Sequence, residues 1–377
     1  MRTNRLVAAC ATAAALLGLA ACGGSSSNGS GGGSASPTPI KSSKTVGRTT
    51  GPNGEKATPT SALKLSAADI AKVKSGHYTA ALTWHQSSDF VTAVTAGARD
   101  EFAKLGITVT ATTNANFDAG KQKNDIETVM AKKPDVMLSL PVDPVATASA
   151  YKSVTRAGTK LVLLSNVPKG FVQGRDYVTV VTDDLFQMGK HAADALAASI
   201  GDKGKIAYFF HDASYYVTNQ RDQAFKKTIE ANYPNIKLVA QQGIADPNKA
   251  QDQANAILTK NPNLDGVYVT FSQPPAEGVL SALRNNGNTK TKLVSLDLDE
   301  PLTVDMARGG NVSGIVSDKA YELGQAMAMS AAYGLLDRKA PPFLVAPAIT
   351  ITKDNLAHGY EESLHQAPPK AVAEAAK

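Results

Sequence analysis

From His77 onward, short apolar runs alternate with amphipathic segments, and the runs form two successive series of five. The first series is 78–83, 107–111, 136–140, 160–164 and 178–181, and the second is 205–210, 236–240, 266–270, 292–296 and 312–316. Apolar strands that alternate with helices are typical of parallel sheets covered on both faces. The two series therefore predict an α/β fold with two doubly wound lobes.

The segment between the first two runs predicts an amphipathic helix over 90–105. Its apolar face is formed by Val91, Val94, Ala98, Phe102 and Leu105. Either Ser88 or Asp89 is expected to cap its beginning, and Gly106 is expected to end it. The first strand is thus followed directly by a helix, as in a doubly wound sheet.

Polar and aromatic residues follow many of the predicted strands. In open α/β sheets, ligands bind beyond the carboxyl ends of the strands. The candidates at these ends are Trp84, His85, Ser88, Phe90, Asp143, Ser165, Asn166, Tyr216, Ser272, Gln273, Asp297 and Asp318. Carboxylates, amides and hydroxyls bind neighbouring hydroxyls, and aromatic rings cover an apolar C–H face. The mixture predicts a site for a small polyhydroxylated ligand.

Several of these residues have a structural alternative. Asp89, Asp184 and Asp299 are each equally well explained as helix caps. Trp84 is the single tryptophan and is either a ligand platform or a core residue. Tyr216 and its neighbour Tyr215 cannot both face one cleft from extended chain, so one of them is expected to pack. No third ligand lies at a suitable spacing from the histidines, and we expect neither a metal nor a cofactor.

Residues 76–352 resemble the periplasmic binding proteins of the ribose-binding type, which are the sugar-binding subunits of ABC importers. Four stretches carry the resemblance: the helix at 90–105, Pro-Val-Asp-Pro at 141–144, Asn-Gln-Arg-Asp-Gln-Ala-Phe at 219–225 and Leu-Asp at 296–297. The resemblance implies a two-lobed binding protein without covalent chemistry.

The resemblance also implies roles for individual residues. Phe90 matches the family's stacking aromatic, and Arg221 and Asp297 match its ligand-binding arginine and aspartate. Asn219 belongs to the same stretch as Arg221. Ser88 stands where the family often has Asn, and Asp318 where a glutamine usually closes the site.

Departures from the family pattern mean that the resemblance does not identify the particular sugar. Ser165-Asn166 replaces the frequent Asp-Arg, and Leu140 replaces an Asn before the loop proline. Three carboxylates, Asp143, Asp297 and Asp318, against Arg221 also suit a cationic solute. A neutral sugar or polyol is favoured because Arg221 and the amides need acceptors that an amine does not provide.

By the same resemblance, the chain crosses between the lobes near 182–183, 317–318 and 347–348. The expected domains are an N-terminal lobe at 76–182 plus 319–347 and a C-terminal lobe at 183–318 plus 348–366. A frayed tail is expected at 367–377, which is rich in Ala, Pro and Lys.

The first 21 residues predict a signal peptide, with Arg2 and Arg5 before a short apolar run. Leu19-Ala20-Ala21-Cys22 resembles a bacterial lipobox, which implies a diacylglycerol on Cys22; an ordinary secretory signal is the alternative. Two acyl chains anchor a protein stably to a membrane. Residues 22–75 are expected to be the lipid anchor and a flexible linker, since 23–61 has almost no large apolar residues.

The distribution of charge indicates which kinds of binding partner are expected, and the cysteine content indicates whether a disulfide can form. The formal charge of +6 comprises +2 in the signal and +5 in residues 23–75, which leaves −1 for residues 76–377. This distribution argues against a nucleic-acid partner; the basic flank suits anionic headgroups or wall polymer, or is merely a soluble linker. The cysteines are Cys10 and Cys22, so no disulfide forms within the mature chain.

The sequence thus predicts an extracytoplasmic, lipid-anchored and monomeric solute-binding protein, not an enzyme. It is expected to capture a small sugar or polyol and deliver it to an ABC permease. One alternative is a surface carbohydrate hydrolase, although Gly-x-Ser-x-Gly and His-Glu-x-x-His are absent from the sequence. Another is presentation of the ligand to a sensory receptor. A transcription regulator is excluded because a spacer and a signal precede the first lobe.

Overall fold

Two sheets organise the protein in this computed structural model, which describes residues 40–213 and 215–377. The strands are β1 (Thr58–Pro59), β2 (Thr79–Trp84), β3 (Thr108–Asn114), β4 (Val136–Ser139), β5 (Lys160–Leu164), β6 (Thr179–Asp183), β7 (Gly204–His211), β8 (Ile236–Ile244), β9 (Gly266–Val269), β10 (Lys292–Leu296), β11 (Val312–Ser317), β12 (Phe343–Ala346) and β13 (Ile349–Ile351). All ten predicted strands are present, and the three additional strands are short.

The helices flank both sheets. They are α1 (Ala67–Ser75), α2 (Asp89–Leu105), α3 (Ala119–Met130), α4 (Ala148–Arg156), α5 (Leu185–Ser199), α6 (Tyr216–Asn232), α7 (Ala250–Lys260), α8 (Glu277–Asn285), α9 (Glu300–Ala307), α10 (Ala320–Leu335), α11 (Leu356–Leu364) and α12 (Lys370–Ala375). None of the helices in the described residues is long and apolar enough to cross a membrane.

The first sheet has the strand order β1-β12-β6-β5-β4-β2-β3, and all its pairs are parallel. The second has the order β13-β11-β10-β9-β7-β8 and is parallel except for β13. We call the parts built on them the first and second lobes. The predicted fold of two doubly wound lobes is confirmed, because strands are added on both sides of β2 in the first sheet and of β7 in the second.

The first helix forms as its sequence predicts. Ser88 caps α2, with its hydroxyl accepting from the Val91 amide at 3.3 Å, and Gly106 ends the helix at a φ of 67°. α2 packs closely on α10, because a Cβ at Gly97 would overlap the carbonyl of Tyr321. This contact ties α10 to the first lobe.

The chain passes between the sheets three times. It leaves the first sheet after β6, returns between β11 and α10, and crosses again between β12 and β13. At the first crossing the Asp184 amide donates to Ala346 O at 2.8 Å, so two of the crossings are bonded to each other.

The segment before α1 differs from the flexible linker that its composition predicts. Residues 40–60, which we call the strap, run along the second lobe and then join the first sheet as β1. Thr49 donates its hydroxyl hydrogen to Asp184 Oδ1 at 2.5 Å, and Thr58–Pro59 pair with Leu344 and Val345 of β12. Hydrogen bonds to preformed surfaces order this segment despite its few apolar residues.

The C-terminal tail also differs from the prediction. Residues Lys370–Ala375 form α12 instead of a frayed end. Val372 is 1% exposed and belongs to the same apolar cluster as Leu302 and Met306 of α9. Val372 and the partly buried Ala375 pack this short helix against the apolar cluster.

Candidate functional site

The candidate site lies where the carboxyl ends of the two sheets face each other. Asn166 follows β5 in the first lobe, and Tyr215 precedes α6 in the second. The Asn166 amide donates to the Tyr215 hydroxyl at 3.3 Å and to Pro141 O at 2.9 Å. One hydrogen bond thus joins the lobes across the cleft, and the described arrangement is a closed one.

An ion pair forms the second-lobe wall of the cleft. Arg221 Nη1 lies 2.7 Å from Asp297 Oδ1, and Nη2 lies 3.3 Å from Oδ2. The Arg221 side chain is 6% exposed and that of Asp297 30%. Arg221 Nε is buried and has no partner among the described residues. Arg221 therefore keeps one donor for an additional acceptor.

Local backbone geometry positions both partners of this ion pair. Gly189 of α5 lies so close to the Arg221 carbonyl that a Cβ there would overlap it, which seats α6 tightly on α5. Asp297 has a φ of 70°, and its amide donates to Val316 O at 2.9 Å. A left-handed backbone at a non-glycine residue costs free energy and is frequent at functional sites.

Two further carboxyl groups are buried at the strand ends. Asp183 ends β6 and Asp318 follows β11, and each is 6% exposed. Burial raises the pKa of Asp183 to about 7, against the opposing effect of Arg221. Burial and then the charges of Asp183 and Asp297 raise the pKa of Asp318 well above its usual range. This shift favours the protonated form of Asp318, in which the carboxyl group can donate a hydrogen bond.

The first-lobe wall is built from short polar side chains. Ser165 has a φ of 57° and shares a hydrogen bond with the Thr182 hydroxyl at 2.8 Å. Burial lowers the pKa of His85 to about 4, so its ring is neutral at pH 7, and Nδ1 is unpaired within the part of the chain that the structure covers. The exposed Phe117 ring lies edge-on to His85, 5.2 Å between centroids. Phe90 is partly buried against the first-lobe core.

Three sequence-predicted site residues have side chains that are engaged in other contacts. Trp84 is 1% exposed in the core and donates its indole N–H to Thr95 Oγ1 at 2.9 Å, so the core alternative holds. Tyr216 donates its hydroxyl hydrogen to Thr50 O of the strap at 2.7 Å. Exposed Asp143 accepts from the amides of Val145 and Ala146 and caps its own turn.

The other polar residues named in the sequence analysis lie in turns or at the beginnings of helices. Asn219 Oδ1 accepts from the Tyr215 amide at 2.9 Å and steadies the start of α6. Ser272 is buried and Gln273 exposed in the turn after β9. Asp184 and Asp299 accept from the Gln187 and Leu302 amides and cap α5 and α9. Their alternative interpretation as caps is the one that the structure supports.

The structure adds three residues to the sequence-based candidates. Tyr215 takes the place expected for Tyr216. Asp183 lies among the cleft carboxylates. His211 is half-buried near Arg221, where burial and then the guanidinium lower its pKa. Asp183 and His211 end β6 and β7, and Tyr215 lies in the short segment between β7 and α6. A position at or shortly after a strand end is the signal that could have identified them.

No cluster of three or more His, Cys, Asp or Glu within residues 40–213 and 215–377 is arranged to hold a metal. A separate cavity of about 560 Å³ lies at the amino ends of β9 and β10, lined in part by Leu264, Asn288 and Thr291. It includes none of the candidate residues, so the cleft is the better site on chemical grounds.

Comparison with known proteins gives a consistent result. A family model described as a periplasmic binding protein domain matches residues 80–339. The chain is similar to ribose import binding proteins of Haemophilus influenzae, at 23% identity over 201 residues, and of Bacillus subtilis, at 22% over 274 residues. These matches cover 53% and 72% of this chain and 66% and 79% of the relatives.

Solved structures share the fold. An ABC transporter solute-binding protein from Agrobacterium vitis, bound with alpha-D-tagatopyranose, has a TM-score of 0.65 at 24% identity, covering 74% of this chain and 96% of that one. An arabinose-binding protein from Geobacillus stearothermophilus has a TM-score of 0.68 at 19% identity, covering 75% and 99%. At these identities the likeness establishes the fold alone.

Proposed function

The chain belongs to the periplasmic binding protein domain family, and from this premise we propose that it captures a small sugar or polyol between its lobes and delivers it to an ABC importer. The sugar binds where Arg221 and Asp297 of the second lobe face Asn166 of the first. No covalent step is needed, because binding alone shifts the equilibrium between open and closed lobes.

The observation that carries this proposal is the buried Arg221–Asp297 pair with its unused Nε donor. A sugar hydroxyl both accepts and donates, so it can accept from Arg221 Nε and donate to a carboxylate. The carboxyl group of Asp318, whose pKa is raised by burial, supplies another donor when it is protonated, and Asn166 supplies an amide from the opposite wall. Donors and acceptors mixed in one cleft suit a neutral polyol better than an anion or a bare cation.

The names of the relatives support the sugar class, since two of them are ribose import binding proteins. Ser165 and Asn166 replace the Asp-Arg pair that sugar binders of this type often carry. We therefore leave the particular sugar to experiment.

We also propose that the protein works outside the cytoplasm, held to the membrane by a lipid on Cys22. This part rests on the apolar run and the lipobox-like ending before Cys22, which lie outside the described residues. The first described residue, Ile40, packs against the apolar cluster of the second lobe. The anchor therefore attaches to the folded part through the second lobe.

Isothermal titration with D-ribose, D-allose, D-arabinose, D-tagatose and myo-inositol tests the binding function. We expect saturable binding of at least one of them, with little or no response to glycine betaine or putrescine. Binding of an amine in preference to every sugar would replace the sugar class by the cationic alternative. No binding of any of these compounds would reject the proposed function.

A further inference from the structure

We propose that the strap is a fourth connection between the lobes, which favours their closed arrangement and holds the first turn of α6 in its binding geometry. Three backbone crossings are inherent in the fold, whereas the strap reaches both lobes through side-chain and strand contacts. The proposal concerns the motion of the lobes and does not depend on which ligand they bind.

The first half of the strap is bonded to the second lobe. The Ser43 amide donates to Asp194 Oδ2 at 3.2 Å, and Lys190 Nζ donates to Ser42 Oγ at 2.8 Å. Further along, Gly47 lies against the Phe186 ring, so closely that a Cβ at this position would overlap the ring. This half therefore follows the surface of α5 and moves with the second lobe.

Thr50 is the contact point with α6. Its amide donates to Gln220 Oε1 at 3.2 Å, and its carbonyl accepts from Gln220 Nε2 at 3.1 Å and from the Tyr216 hydroxyl at 2.7 Å. Three hydrogen bonds to one residue fix the strap against the first turn of that helix. The same turn is flanked by Tyr215 and Arg221, which face the cleft.

Tyr216 extends the contact across the boundary between the lobes. Its ring packs against the apolar cluster of the second lobe that contains Phe225, and also against a first-lobe cluster that contains Phe171 and Tyr177. Ala57 of the strap packs on that first-lobe cluster as well. The hydroxyl and the ring of one tyrosine thus join the strap and both lobes.

The second half of the strap belongs to the first lobe. β1 pairs with β12, and Thr60 donates its hydroxyl hydrogen to Glu322 Oε1 of α10 at 2.6 Å. Just beyond it, Leu63 is buried in the core at 4% exposure. A segment fixed to α5 and α6 on one side and to β12 and α10 on the other limits rotation about the hinge.

Opening the cleft moves α6 away from the first-lobe cluster. Either the Tyr216 ring then leaves that cluster, or the Thr50 bonds break. Both cost free energy, and the strap therefore shifts the population of the ligand-free protein towards the closed arrangement. The strap also keeps Tyr215 and Arg221 oriented before the ligand arrives, which lowers the ordering cost of binding.

The double variant Tyr216→Phe with Gln220→Ala tests this role. It removes the three Thr50 bonds and leaves the aromatic ring in place. Small-angle scattering of the ligand-free protein should show a larger radius of gyration than the wild type, and hydrogen exchange at the Thr50 amide should be about tenfold faster or more. Thr60→Val is the matched control: it removes a strap bond within the first lobe, and the radius of gyration should not change.

An unchanged radius of gyration in the double variant would overturn the proposal, because the strap would then have no effect on the equilibrium between open and closed lobes. A smaller radius would overturn it too, since the strap would then hold the lobes apart. If the double variant does not fold, as judged by circular dichroism, Gln220→Ala alone decides by the same criteria. Because no sugar is added, these results are independent of whether the sugar-binding function is correct.

Discussion

Arg221 and Asp297 form a two-point ion pair at the wall of the cleft, with Nη1 and Nη2 of the guanidinium 2.7 and 3.3 Å from the two carboxylate oxygens. The pair joins the start of α6 to the end of β10. Its guanidinium is almost fully buried while the carboxylate is 30% exposed towards the cleft. The opposite charges of the two side chains compensate each other, and both retain hydrogen-bonding capacity for a ligand.

Arg221→Ala and Asp297→Ala should therefore each weaken sugar binding by about 2 kcal/mol or more, as measured by isothermal titration. Each change removes charge-assisted hydrogen bonds in a closed cleft and leaves its partner unpaired. Arg284→Ala is the matched control, because the Arg284–Asp305 pair of 2.7 Å lies between α8 and α9. Unchanged affinity in both cleft variants, with a large loss of stability, would mean that the pair is structural.

The central strands could be predicted from the sequence because they are buried on both faces, so their apolar runs are almost unbroken. Two edge strands, β1 and β13, could not. β1 is the polar Thr58–Pro59 and β13 has three residues, so neither leaves a periodic pattern. The order of the strap was missed for a related reason. Thr49 and Thr50 are held by hydrogen bonds to side chains more than a hundred residues away, and composition carries no sign of such contacts.

The site was predictable to the level of strand ends but not to the direction of each side chain. Trp84 and His85 are neighbours, yet Trp84 enters the core while His85 lies beside Phe117. The sequence predicts Tyr216 in the cleft, but Tyr215 lies there and Tyr216 packs, because α6 begins between the two residues. A shift of one residue in a helix start reverses such an assignment.

Trp84→Ala should lower the free energy of unfolding by about 3–5 kcal/mol in urea titrations, because it leaves a large cavity in the first-lobe core. Trp84→Phe should cost less, since it keeps most of the apolar volume and loses the bond to Thr95. The fluorescence of wild-type Trp84 should change little when sugar binds. A strong change in fluorescence on addition of sugar would indicate that Trp84 lines the cleft.

Stability should depend on pH through Asp183. Its pKa is raised to about 7 by burial, above the value of about 4 expected in the unfolded chain. The folded state then holds a proton that the unfolded state has released, so the free energy of unfolding should fall as the pH rises from about 4 to 7. Asp183→Asn should flatten this decline and stabilise the protein at pH 8. Parallel pH profiles for both proteins would exclude Asp183 as the group responsible.

Cys22→Ala should release the protein from the membrane fraction into the medium or periplasm. About two acyl chains supply the proposed anchor, so the loss should be nearly complete. Fractionation followed by immunoblotting measures it. Cys10→Ala, within the predicted signal, is the control and should leave the mature protein in the membrane fraction. Retention of the Cys22 variant would refute lipid anchoring at this residue.

Tyr215→Phe should weaken sugar binding about fivefold, because it removes the hydroxyl that accepts from Asn166 across the cleft. Asn166→Ala should have a similar or larger effect. Since both changes break the same bond, the double variant should bind more tightly than the sum of the two losses predicts, and a double-mutant cycle by isothermal titration measures this coupling.

Tyr233→Phe is the control for loss of a tyrosine hydroxyl. Its hydroxyl donates to Asp194 Oδ1 at 2.8 Å, away from the cleft, so sugar affinity should stay at the wild-type value. Strict additivity of Tyr215→Phe and Asn166→Ala would show that each acts on the ligand separately. The cross-lobe bond would then contribute nothing to closure, and the closed arrangement would depend on the ligand and the strap alone.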